Sequence, residues 1–72
     1  MGPGNEQVKR IIQHKRTGQY LMKSGQWTSN FDDAHQLPNV LAAVRLARTL
    51  GLQEAELVLK FEDGRYDLRL DL

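Results

Sequence analysis

Asp32-Asp33-Ala34-His35 is the one local run in this chain that sets carboxylates beside an imidazole. On a helical turn Asp32 and His35 share a side, because residues three apart are neighbours there. Such a pair could contribute to a metal site or move a proton. A metal site needs three or four converging ligands, and the other histidine, His14, falls in an expected strand with no reason to converge. The run is therefore read as turn structure, with an aspartate opening a short helical turn and His35 exposed. Catalytic groupings are otherwise lacking. There is no cysteine, hence no thiolate nucleophile and no disulfide. Ser24 and Ser29 lie in turns, and the six glycines are dispersed rather than gathered into a phosphate-cradling loop. The sequence leads us to expect no catalytic residue, no metal, no cofactor and no enzymatic activity.

Binding chemistry offers two candidates. The net charge is +1, but residues 1–28 hold Lys9, Arg10, Lys15, Arg16 and Lys23 against Glu6 alone. A basic hairpin of this kind could contact phosphates, each neutralised contact steepening the salt dependence. Five basic residues are few for that task, and the same charges would serve to guard a strand edge. The second candidate is aliphatic. Ile11, Leu21 and Val58 fall on the polar faces of their expected strands, and Leu41 on the outer side of the expected helix. A contiguous exposed aliphatic patch marks an interface. Trp27 and Tyr20 could stack on bases, but aromatic residues on alternating strands are read as core.

The elements that would position these residues follow from pattern. Leu57, Leu59 and Phe61 alternate with Val58, Lys60 and Glu62; after Asp63-Gly64, Tyr66, Leu68, Leu70 and Leu72 alternate with Arg65, Asp67, Arg69 and Asp71. Alternation of this kind defines two-faced strands, and Asp-Gly suits a two-residue type I′ turn. That turn pairs Glu62 with Arg65, Phe61 with Tyr66, Lys60 with Asp67 and Leu59 with Leu68. Upstream, Val8 to Lys15 predicts a strand, and a three-residue loop ending at Gly18 pairs His14 with Tyr20 and Ile12 with Met22. A two-residue Thr17-Gly18 loop would shift that register by one. Ser24-Gly25 gives a second turn that sets Trp27 opposite Met22. One face then holds Val8, Ile12, Tyr20, Met22 and Trp27. Ser29 with Asp32 suggests a capped turn. Pro38 to Leu50 predicts a helix with Asn39 as cap and Gly51 as its stop. Val40, Ala43, Val44, Leu46, Ala47 and Leu50 share its apolar face.

The expected fold class is α+β: β-β-β-α-β-β, a mainly antiparallel sheet with one helix on one face. Residues 1–7 are expected as a flexible tail and 8–72 as a single α+β domain. The pattern Tyr20-Leu21, Trp27-Thr28, Ala34 and then a helix with Ala43 and Ala47 resembles one found in small bacterial and phage α+β proteins. It covers about half of the chain and implies fold rather than activity. The β-β-β-α portion is also similar in order to the DNA-binding arms of some integrases and to AP2-type domains. Those read DNA with arginine and aromatic residues on an exposed sheet, whereas here Tyr20 and Trp27 are expected on the inner face.

A chain of 72 residues buries only roughly 60% of its unfolded surface, and small domains commonly compensate by oligomerising. Five strands span roughly 20–25 Å, while one helix is about 10 Å wide. The sequence therefore predicts incomplete cover of the apolar face. No apolar run approaches the roughly 18 residues of a membrane span and no signal-peptide core is present, so no membrane partner and a cytoplasmic location are expected. The expected role is a protein-interaction domain, its partner another protein or a second copy in a weak homodimer. Nucleic-acid binding through the first hairpin is the alternative.

Overall fold

The computed structural model of the chain describes residues 8–61 and 67–72. Among these lie strands β1 (Val8–His14), β2 (Tyr20–Leu21) and β3 (Trp27–Thr28), then a 3₁₀ turn (Phe31–Asp33). Helix α1 (Val40–Leu50) follows, and strands β4 (Ala55–Phe61) and β5 (Asp67–Asp71) complete the order. The strands form one antiparallel sheet in the order β3-β2-β1-β4-β5, and the helix packs on one face. This is the expected α+β architecture. Of the second hairpin, Leu59 pairs with Leu68 and Lys60 with Asp67 as the alternation predicts. The Asp63-Gly64 turn and the pairs of Glu62 with Arg65 and Phe61 with Tyr66 lie outside the described residues.

Helix α1 obeys its local signals. Asn39 caps it, its side chain accepting from the Ala42 N–H at 2.8 Å. Gly51 ends it in the left-handed region at φ 63°, which an unbranched backbone adopts without strain. Ala43 and Ala47, four apart and both buried, form the stripe that meets the sheet. Small side chains let the helix approach closely. It rests over the centre of the sheet, where Ile12, Leu21, Leu37, Ala55 and Leu57 join Ala43 in one cluster, with Trp27, Ala42, Leu46 and Leu52 at its margin.

The first hairpin is registered differently from expectation. Gln13 pairs with Tyr20, because the loop spans residues 15–18. Gly18 takes φ 78° and its N–H donates to the His14 carbonyl at 2.9 Å. His14 fixes the loop further, its Nδ1 accepting from the N–H groups of Arg16 and Thr17 at 3.1 and 3.3 Å. A one-residue slip exchanges faces along a strand. Leu21, paired with Trp27, therefore joins Ile12 in the helix-side core, and Tyr20 turns to the reverse face. The short turn before the helix is also capped differently: the Asp32 N–H donates to Asn30 Oδ1 at 3.0 Å, so Asn30 rather than Ser29 is the cap.

The expectation that the apolar rows of the second hairpin and the apolar face of the helix are buried together is corrected at Val40, Leu59 and Leu68. Leu68 and Val40 are 45% and 41% exposed rather than buried, because the alanine stripe seats the helix over the middle strands and away from β5. Leu59 is only half-buried for the same reason, while Leu57, beneath the helix, is fully buried. Leu57→Ala should thus cost about 2–5 kcal/mol, a large fraction of the stability of a domain this small. Leu59→Ala should cost less than half as much. Urea denaturation of the two variants checks the order, and equal losses would contradict this placement of the helix.

Candidate interaction surface

The expected aliphatic patch does not form. Ile11, Leu21 and Val58 are 0–1% exposed, and of the four candidates only Leu41 is exposed. Leu21 is in the helix-side core for the reason of register given above. Ile11 and Val58 are direct cross-strand partners at the centre of the reverse face. The 3₁₀ turn brings Phe31 onto that face, a cover that the alternation of the strands gave no sign of. Its ring meets Tyr20 edge to face at 5.3 Å, and the ammonium groups of Lys9 and Lys60 lie 5.6 and 5.4 Å from its centroid.

Lys9 and Lys60 are themselves cross-strand partners. Like charges directly opposite are destabilising. Here both cations lie against one aromatic ring, which attracts them, and Asp67 takes a salt bridge from Lys60 at 3.0 Å. Phe31 therefore does two jobs, closing the reverse face over apolar residues and reconciling two lysines.

The basic candidates are not gathered into one surface. Lys9 and Arg10 lie on opposite faces of β1, as consecutive strand residues must. Arg16 lies 3.6 Å from Glu54, and Lys15 is bonded to Asp71 at 2.6 Å. The Asp71 hydrogen bond holds the Lys15 ammonium above its ordinary value of 10.5. A raised lysine contributes stability that is complete below the ordinary value and lost as pH climbs through the raised one. The pair is thus intact across the neutral range. Lys23 stands apart in the exposed turn after β2.

Asp32 and Asp33 are exposed in the 3₁₀ turn, and His35 follows half-buried. The His35 N–H donates to the Leu21 carbonyl at 2.9 Å, while its Nδ1 is enclosed with no hydrogen-bond partner among the described residues. Among the described residues no three His, Asp or Glu side chains converge as a metal site requires. His14 has its own role in the loop and meets Trp27 edge to face at 5.2 Å.

The surface that does stand open is one the apolar pattern assigned to the core. Leu68, Leu70 and Leu72 are 45%, 44% and 38% exposed in a row along β5. A groove of about 440 Å³ opens at the end of this row, where Val44, Ala47 and Leu52 approach Leu72. Among the described residues no strand lies beside the outer side of β5. The reverse side of β5 is charged: Arg69 donates to Glu56 at 2.7 Å and to Gln13 at 2.8 Å. The signal for this surface was the width of one helix against five strands, not the type of any residue. No helix among the described residues is long and apolar enough to cross a membrane.

No protein-family model matches the chain, and no curated protein or solved structure matches it significantly. The geometry itself makes a checkable statement. Phe31→Leu keeps an apolar cover but removes the aromatic face between the lysines. It should cost about 1 kcal/mol at low ionic strength, with the loss shrinking as salt screens the lysine pair. A salt-independent loss would show that Phe31 contributes packing alone.

Proposed function

We propose that this chain is a non-enzymatic protein-interaction domain that acts by self-association, with the leucine row of β5 as its contact surface. The observation that carries the reading is the coincidence of an uncovered apolar row with a strand edge that no other described strand pairs. Natural sheets usually blunt their open edges with charged side chains, proline, bulges or brevity, and the charges of β5 are of both signs, Asp67, Arg69 and Asp71. The opposite edge is blunted in this way, since β3 is only 2 residues long. The edge at β5 runs for 5 residues with neither proline nor glycine.

The magnitude suits a weak assembly. Burying a leucine fully is worth about 1.5–3 kcal/mol. Covering the exposed 38–45% of these three leucines on each of two copies releases on the order of 5 kcal/mol before association is subtracted. Light scattering across a concentration series should show the mass of the chain rising from one copy to two. Leu68→Ser/Leu70→Ser should hold it at one copy while leaving its circular dichroism unchanged. A wild-type chain that stays at one copy into high micromolar concentration would overturn self-association. Nucleic acid should not compete for this surface: fluorescence anisotropy should detect no submicromolar affinity for duplex DNA or RNA at physiological ionic strength, and such an affinity would favour a phosphate-binding role instead.

A further inference from the structure

We infer that two copies join edge to edge through β5, antiparallel, with the two-fold axis at Leu70, so that Arg69 of each copy faces Asp71 of the other. The inference rests on the self-association proposed above and adds its register.

Backbone parity comes first. The Leu72 N–H donates to the Ala55 carbonyl at 3.2 Å. Along an antiparallel strand, residues that bond to one neighbour alternate with residues that face the other way. Leu68, Leu70 and Leu72 therefore turn their backbone groups toward β4, and Asp67, Arg69 and Asp71 turn theirs outward. The far side of β4 agrees, since the Lys15 N–H donates to the Glu54 carbonyl at 2.7 Å in the same alternation. A second β5 must then pair an outward residue with an outward residue.

Arg69 can face Arg69, Asp67 or Asp71 of the other copy. The first register sets the arginines together and Asp67 against Asp71, a like-charge match throughout. The second calls on Asp67, whose side chain is 28% exposed and whose carboxylate is already bonded to Lys60 at 3.0 Å. The third calls on Asp71, whose side chain is 79% exposed. Its carboxylate has lone pairs for both Lys15 and an incoming guanidinium, and Arg69 has N–H donors beyond the one given to Glu56 and Gln13. The third register also aligns the apolar row, placing Leu70 against Leu70 and Leu68 against Leu72. Each Arg69–Asp71 pair exchanges both backbone hydrogen bonds. Such a two-fold contact is closed: among the described strands it consumes both β5 edges and leaves β3 at each end, so assembly stops at two.

The absence of cysteine makes the register readable. At the two-fold axis the facing residues form a non-hydrogen-bonded pair with Cα atoms about 4.5 Å apart, within disulfide reach. Under mild oxidation Leu70→Cys should form a disulfide-linked dimer, while Leu68→Cys and Arg69→Cys should remain thiols. Efficient cross-linking of Leu68→Cys would instead indicate the Asp67 register, and of Arg69→Cys the arginine-on-arginine register. Either result overturns this inference and leaves self-association standing. Charge exchange gives a second reading by sedimentation. Arg69→Asp should weaken the dimer at least about tenfold by setting it against Asp71. Arg69→Asp/Asp71→Arg should return affinity to within roughly threefold of wild type. A double variant as weak as the single one would overturn the ionic pairing. A wild-type chain that never dimerises removes the reading beneath it as well.

Discussion

The β1–β4 ladder is the pairing on which the rest of the structure depends. It joins Val8 to Phe61 at one end and His14 to Ala55 at the other without interruption. At its centre the Ile11–Val58 pair faces one way and the Ile12–Leu57 pair the other, and all four side chains are excluded from water. Strands buried on both faces lose the clean alternation of apolar and polar residues. That is why β1 reads Val-Lys-Arg-Ile-Ile-Gln-His. The two hairpins hang from this ladder on either side, and each face is closed by one borrowed element: the alanine stripe of α1 above, Phe31 below.

What was legible in the sequence was what local chemistry decides. Asn39 and Gly51 bound the helix through contacts within a few residues, and the second hairpin announces its register through matched rows of charge and leucine. The first hairpin was not legible in the same way. Its loop length is set by the His14 ring accepting two backbone N–H groups, a choice that no turn dipeptide encodes. One residue of difference there moved Leu21 into the core and Tyr20 out of it. Ile11 and Val58 were misread for another reason. The ring that shares their face is a phenylalanine about twenty residues from one and nearly thirty from the other, delivered by the turn that holds Asp32 and Asp33.

The open surface reflects a conflict between two ways of using a helix. A helix faced with valine and leucine stands off from a sheet and spreads over it; one faced with Ala43 and Ala47 sits close and covers little. This chain takes the second course. The middle strands gain a dry, tight seam, and the leucines of β5 stay at the margin. The apolar alternation of β5 is thus a correct reading of a strand face but not of a core.

The ladder also governs how the chain reaches its fold. Its partners are separated by more than half of the sequence, and contacts of that span form slowly because the intervening loop must close first. A hairpin forms within about 1–10 μs and a helix faster still, both ahead of a ladder of this span in intrinsic rate. An early α1 advances the chain only about 1.5 Å per residue across Val40–Leu50. It thereby shortens and stiffens the tether between β1 and β4. The same eleven residues that seal one face of the sheet also set, when helical, the distance over which its two central strands must find each other.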